Sequence, residues 1–404
     1  MNEEPPAGIA IPAGAPSGRL GNGIGMAGEF SRRALFAGTL LGGTLASACG
    51  RKRGVRYQGW MFVASGLEKE IAVADLASFR RVATIPLPGG PGQLFQSSGR
   101  VFAICRDEQA IIEIDLERFR FAYRIGLPGK PTAVRLLTTG IAIILTDEPA
   151  SLIQVDLASR RVTARLPLPG APRDLDLNGS LAAVTIPEKN ALLRVVLAES
   201  KTSKLRLAGA TDVGVPCGAV RFRRDGKTIL AGATAARELV AIDAQSGKLL
   251  TRLPLPLSPS RFCFNSDGGQ MFVTGTGEDA LAIVSPFQNE VAETILAGRT
   301  PFAMAVSERR NLLFVTNRES GDLTILDIET RGVSASVHVG ENPGEILLTP
   351  DGEYALVLDQ RSGNVAVVRI STVLDRKVKT KPLFTVFPTA ADARSAIIVP
   401  FRET

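Results

Sequence analysis

Seven prolines, at positions 91, 131, 172, 216, 259, 301 and 343, each open an apolar run. Two residues beyond them stand Gln93, Ala133, Asp174, Gly218, Arg261, Ala303 and Glu345. If those runs surround one axis, Gln93, Asp174, Arg261 and Glu345 are its polar side chains. Two carboxylates and a guanidinium in an apolar-walled channel can orient a polar ligand or hold a shifted pKa. The same charges can instead pair with one another and plug the space. Other chemistry-bearing residues are few. The chain has one histidine, His338, in the run Val333–Val339, and four cysteines, none in C-x-x-C spacing. His338 falls in an outer strand by the register below, so it reads as a surface or inter-blade residue. Cys105, Cys217 and Cys263 lie in or beside apolar runs and read as buried free thiols, with a Cys217–Cys263 bridge as the alternative in an oxidising compartment. No G-x-S-x-G, H-E-x-x-H or EF-hand pattern occurs, and no metal or cofactor is expected. Gly226-Lys227-Thr228 mimics the end of a phosphate loop, but Arg221 occupies the place of its first glycine, leaving a hairpin turn.

Those positions depend on a repeat. After residue 57 an apolar run, a polar turn, an apolar run ending in an acid, and a third run leading to Pro-Gly recur. The acid or its replacement falls at Asp75, Asp115, Asp156, Val196, Asp243, Ser285, Asp327 and Arg369, at intervals of 40, 41, 40, 47, 42, 42 and 42. A fixed period of this size signals a repeat architecture. The clearest unit, Leu312–Gly352, divides into LLFVT, LTILDI, VSASVHV and GEILLT, separated by turn residues. Runs this short and β-branched are strands. Four antiparallel strands per unit, arranged around an axis, predict an all-β propeller of eight four-stranded blades, with seven as the alternative. Ser395–Val399 is expected to pair with Trp60–Ala64 and close the ring, which removes exposed edges. In such a meander, alternate turns share a face. The proline turns and the charged turns from Glu68-Lys69-Glu70 round to Asp359 and Arg361 lie on one funnel face, where the charges read as solvated.

Composition agrees. The chain has 404 residues, 45% of them hydrophobic, and its 40 glycines and 25 prolines exclude a helical bundle. The net charge of +7 is concentrated. Arg51, Lys52, Arg53 and Arg56 supply four of it, residues 1–48 balance, and the body retains about +3 with signs mixed. Such a body is poor for nucleic acid, and none is expected as a partner. A basic segment just after a lipid anchor suits anionic headgroups.

Phe314-Val315-Thr316-Asn317, Thr324-Ile325-Leu326-Asp327, Val339-Gly340-Glu341-Asn342-Pro343-Gly344 and Thr349-Pro350-Asp351-Gly352 resemble the YVTN β-propeller repeat. Phe272–Gly275 and Trp60–Ser65 are weaker copies, and the resemblance spans about residues 57–400. It implies a propeller like those of surface-layer repeat proteins, lactonase-like enzymes and haem-d-type nitrite reductases. It implies no particular activity. Asp243 in Ala241–Gly247 is similar to a quinone-propeller repeat, but appears once and reads as a strand and a turn.

Upstream, Ser31-Arg32-Arg33-Ala34-Leu35-Phe36, the apolar run Ala37–Leu45 and Ala46-Ser47-Ala48-Cys49 have the three regions of an export signal. Arg32 and Arg33 resemble a twin-arginine signal. Ala46–Cys49 resembles a lipobox, which implies acylation of Cys49. Gly50 in place of Asp then favours the outer membrane. The run is too short to span a bilayer. Residues 1–25 are low-complexity, and Met26 is expected as the true start. Gly23–Gly28 spells G-x-G-x-x-G without the strand or βαβ unit that a dinucleotide site needs.

The domains read as a 1–25 extension, a 26–48 signal peptide, a 49–56 basic tether and a 57–404 propeller. The expected protein is a monomer anchored in membrane lipid on the periplasmic side or at the cell surface. It is read as a binding or scaffold protein for a protein, peptide or carbohydrate partner on the funnel face. The reading leans away from catalysis. A lactonase-like hydrolase using Asp174, Glu345 and Arg261 is the first alternative, and a redox-cofactor propeller the second.

Overall fold

The computed structural model describes residues 56–138, 140–198, 204–374 and 381–401, so residues 1–55, including Arg32, Arg33 and Cys49, lie outside the described residues. Within these bounds the chain forms eight sheets of four antiparallel strands each. The eight innermost strands are β4 (Pro91–Ser97), β8 (Pro131–Thr138), β12 (Leu175–Asn178), β16 (Val220–Phe222), β20 (Ser258–Phe264), β24 (Pro301–Ser307), β28 (Pro343–Leu348) and β32 (Ala393–Pro400). Blades two to eight are built from consecutive strands. The first blade takes β1 (Gly59–Ser65), β2 (Glu70–Asp75) and β3 (Arg80–Pro86) from the start of the chain, and β32 from its end. Trp60 pairs with Val399 and Ala64 with Ser395, so the ring closes in the expected register.

Neighbouring blades bury each other. The core consists of eight apolar clusters, one in each seam. The strand period of two divides each middle strand between its two seams. On β1, Met61 and Val63 pack toward the eighth blade while Phe62 and Ala64 pack toward the second. On β25 (Leu312–Asn317), Leu312 and Phe314 face the eighth blade, and Leu313 and Val315 face the sixth. Middle strands buried on both sides read as continuous apolar runs. Outer strands, wet on one side, alternate, as in β19 (Leu249–Pro254).

The eight repeat positions from Asp75 to Arg369 are each the last residue of the third strand of a blade. Their acids are turn chemistry. Asp75, Asp115, Asp156, Asp243 and Asp327 accept hydrogen bonds from backbone N–H groups two or three residues on, at 2.7–3.0 Å. Such Asx turns favour the ionised carboxylate, and the turn amides hold Asp243 and Asp327 below the usual carboxylate range. The Asp243 segment is thus a strand and a turn. Asp225-Gly226 likewise turns β16 into β17 (Thr228–Ala233), with the Arg223 N–H donating to Thr228 O at 2.8 Å.

A second repeated bond sets the inner strands. Threonines near the end of the second strand reach across the seam to the start of the next inner strand. Thr185 donates to Gly218 O at 2.7 Å, Thr234 to Pro259 O at 2.9 Å, Thr274 to Phe302 O at 2.8 Å and Thr316 to Gly344 O at 2.9 Å. Thr316 is the threonine of the Phe-Val-Thr-Asn motif. Gly218 is itself one of the positions two beyond a turn proline, and the other acceptors lie one or two residues before Arg261, Ala303 and Glu345.

Candidate functional site

The inner strands line a central channel. At the funnel end, four hydroxyl-to-carbonyl bonds fix where the strands of blades five to eight begin, and so where Arg261, Phe302 and Glu345 emerge. At Gly90 a Cβ would sit 2.4 Å from Gly66 O, so only glycine lets this turn lie against the first blade and start β4 at Pro91.

Gln93 is absorbed by its neighbour. Its Oε1 accepts from Val134 N at 3.3 Å and its Nε2 donates to Val134 O at 3.5 Å, which joins β4 to β8. Asp174 is fully engaged. Oδ2 accepts from Arg221 Nη1 at 2.7 Å and Val220 N at 3.1 Å, while Oδ1 accepts from Arg135 Nη2 at 3.3 Å and its neighbour Leu175 N at 2.9 Å. Four donors fill the accepting capacity of a carboxylate, so Asp174 is a clamp between blades three, four and five. It has no lone pair left for a substrate, and its ionic partners are Arg135 and Arg221.

Arg261 and Glu345 belong to another group. Both line a cavity of 290 Å³ in the channel, together with Arg221, Cys263, Met304 and Ala396. The Arg261 guanidinium lies over the Phe302 ring, 3.9 Å from its centroid, and Arg318 lies 3.3 Å from the same centroid. Distances this short leave room for one guanidinium on each face of the ring. Both cations gain from the negative faces of the aromatic quadrupole. Arg318 is held from behind. Its Nη2 donates to Gln360 Oε1 at 2.8 Å, and Gln360 Nε2 donates to Ala393 O at 3.2 Å. The Arg318 Nε is buried without a hydrogen-bond partner among the described residues. The Arg261 guanidinium makes no hydrogen bond to any described residue; it lies over the ring and in the field of Glu345, Arg221 and Asp174.

Electrostatics tilt the channel toward cationic character. Burial pulls the Arg135, Arg261 and Arg318 guanidinium groups below their ordinary pKa, and like charges add to the effect. Burial also pushes Glu345 above the carboxylate range, against Arg261 and the Ala396 N–H, which oppose it. Asp176, one strand period below Asp174, is raised by burial too, although its Oδ2 accepts from Phe222 N at 2.7 Å. An anion placed at Arg261 would offset both desolvation and the repulsion between arginines.

Sequence reasoning named Asp174, Arg261 and Glu345 and missed four further charges. Arg135 and Asp176 were available in principle, since each lies two residues beyond a named position and hence on the same side of its strand. Arg221 was hidden because β16 is short and starts late after Pro216, so counting from the proline misplaces it. Arg318 comes from a turn, and no inner-strand pattern marks it. The remaining chemistry is silent. His338 ends the outer strand β27 (Val333–His338), with Nδ1 3.4 Å from Asp322 Oδ1. Cys105, Cys217 and Cys263 are free thiols, raised by burial to about 12, 11 and 11. Among the described residues no group of three or more His, Cys, Asp or Glu could hold a metal ion.

No family model matches the chain. It is 25% identical over 132 residues to the seven-bladed beta-propeller protein Rv1057 of Mycobacterium tuberculosis. That match spans 31% of this chain and 34% of the relative, about a third of each. In structure, the chain resembles the dihydro-heme d1 dehydrogenase NirN in complex with DHE, with a TM-score of 0.66 at 14% identity over 83% of this chain and 76% of that one. It also resembles apo AztD from Citrobacter koseri, with a TM-score of 0.59 at 16% identity over 86% and 100% of the chains. A third likeness is the computationally designed Ika8 protein, with a TM-score of 0.61 at 11% identity over 75% and 94%. At these identities the likeness is one of fold. With its own eight sheets and ring closure, the chain is an eight-bladed β-propeller.

Proposed function

We propose that this chain is an exported, lipid-anchored propeller of the YVTN repeat type. It acts as a binding or scaffold protein, and takes a protein, peptide or carbohydrate partner on its funnel face through an acidic group of that partner. The carrying observation is Arg261, a cation stacked on Phe302, facing a 290 Å³ cavity, whose guanidinium finds no hydrogen-bond acceptor among the described residues. A partly desolvated guanidinium with free donors is a receptor for a carboxylate or phosphate. The partner's acid would complete a site whose own acids are engaged elsewhere, as Asp174 is, or shifted toward neutrality, as Glu345 is. Export and anchoring rest on Arg32, Arg33, the apolar run and the Ala46–Cys49 lipobox.

The test is calorimetric titration of the protein with acidic, neutral and basic peptides and sugars, repeated on Arg261→Gln. Binding confined to acidic ligands and weakened about tenfold or more by the substitution is expected, as for the loss of one charge-assisted hydrogen bond. Equal affinity in the Gln variant, or indifference to ligand charge, would refute the reading. Intact mass of the natively exported protein tests the anchor, which predicts Cys49–Thr404 plus acyl chains.

A further inference from the structure

The two faces of the disc differ in charge, and the chain enters on the face opposite the funnel. Arg56 lies there, with Nη1 donating to Ala77 O at 3.0 Å beside the start of β3. Around the rim of this face, six blades carry an exposed basic residue where the outer strand starts. Arg80, Arg120, Arg161 and Arg206 are the first residues of their strands, Lys248 immediately precedes β19, and Lys381 precedes β31 (Leu383–Pro388) by two. At the funnel end, none of the eight outer strands finishes in Lys or Arg. The nearby acids keep their charge but are half-buried on their own turn amides, as Asp75, Asp115, Asp156 and Asp243 are, and Asp115 also pairs with Arg120 at 3.4 Å. The sixth blade has Glu290 at this position, and there the turn projects Phe287, 45% exposed, with Arg223 over its ring. The same face has a largely apolar groove of 640 Å³, lined by Trp60, Leu116, Val399 and Phe401 with Asp75 and Glu117 at its edge.

We propose that this face docks on an anionic lipid bilayer. Basic residues spread over six of the eight blades match a plane of negative headgroups better than they match any ligand held at a point. Aromatic side chains on the same surface suit the headgroup boundary, where an apolar body and a polar edge are both accommodated. Docked this way, the disc turns its funnel, with Arg261, away from the membrane. The proposal takes its setting from the anchored reading above, but its test does not, since a chain that is never acylated still has the rim.

Trp60 is the chain's one tryptophan and lines the groove on this face, so it reports docking without a label. The full chain carrying Cys49→Ser is titrated with phosphatidylglycerol–phosphatidylcholine vesicles whose acyl chains are brominated, and with phosphatidylcholine vesicles alone. Quenching of Trp60 by the anionic vesicles only, reversed by about 0.5 M salt, is expected. The variant Arg80→Gln/Arg161→Gln/Arg206→Gln/Lys248→Gln should need at least about tenfold more lipid, since each basic residue near the surface contributes to binding. Exchanging the same four residues between Arg and Lys should restore it. Sedimentation with vesicles without Trp60 quenching would place another face on the membrane. Equal quenching in the Gln variant would assign binding to the upstream segment alone, and no binding, or equal binding to neutral vesicles, would overturn the proposal outright.

Discussion

Replacing Asp174 by Ala should lower stability and raise anion affinity together. The carboxylate accepts from Arg221 at 2.7 Å, Val220 N at 3.1 Å, Arg135 at 3.3 Å and Leu175 N at 2.9 Å. Losing its charge-assisted bonds would cost about 3–5 kcal/mol if the groups were fully buried. They are not: the side chains are 18% exposed for Asp174, 28% for Arg135 and 27% for Arg221. Discounted for that screening, a loss of about 2 kcal/mol is expected, which lowers Tm by roughly 4 °C in a chain of this size. The opposite sign applies to ligand binding. Arg135 and Arg221 would face the channel without their counter-charge. Removing a unit negative charge about 8 Å from a bound carboxylate, at an effective dielectric of about 40, changes the interaction by about 1 kcal/mol, or roughly fivefold. Thermal melting and titration with an acidic peptide at low salt measure the two effects on one preparation. Stability loss without a gain in anion affinity would show that anions do not approach these arginines. Unchanged stability would show that the clamp holds nothing.

Two further outcomes follow from the same bookkeeping of buried charge. Glu345 is raised above its ordinary 4.5 by burial, so the folded protein favours its protonated form; the stability it contributes is full below about pH 4.5 and is lost as pH rises through the raised value. Denaturant unfolding of Glu345→Gln and wild type at pH 4 and pH 7.5 should therefore show the Gln variant gaining relative to wild type at the higher pH, and the reverse trend would contradict the burial argument. Arg194, 7% exposed, crosses from the fourth blade to donate to the carbonyls of Ala244 at 3.4 Å, Gln245, and Ser246 at 3.1 Å in the fifth, so Arg194→Met should cost about 2–4 kcal/mol in a denaturation measurement, whereas a loss under about 0.5 kcal/mol would show that this seam does not depend on it.

Arg194 also shows where the pattern of the chain stops being informative. At the same place in the third strand, two residues before its last position, blades two, three and four carry Glu113, Gln154 and Arg194 where other blades carry Val73, Ala241, Ile283, Ile325 and Val367. Each polar residue ties its blade to the next. Glu113 accepts from Arg160 at 2.9 Å, Gln154 donates to Ala198 O at 3.1 Å, and Arg194 reaches the Asp243 turn. In sequence these look like lapses in an apolar run; across the seam they are hydrogen-bonded partners.

The amino-acid sequence by itself determined the architecture. A unit that repeats every forty-odd residues puts the same short-range signals at the same place, so strand limits, turns, blade number and the pairing of Ser395–Val399 with Trp60–Ala64 were all legible. Counting two residues from each turn proline named Asp174, Arg261 and Glu345 but misplaced Arg221, because β16 starts late. Only the tertiary structure decided which charges meet there. Arg135, Asp174 and Arg221 come from three blades and are separated by 39 and 47 residues, and Phe302 lies between an inner-strand arginine and one from a turn. The physical reason is that periodicity is a local property of each strand, whereas an ion pair across a channel depends on the height at which each inner strand begins. That height is set by seam bonds such as Thr316 to Gly344 and by the late start of β16. The clamp at Asp174 and the open guanidinium of Arg261 are therefore products of ring closure, invisible until eight similar units stand side by side.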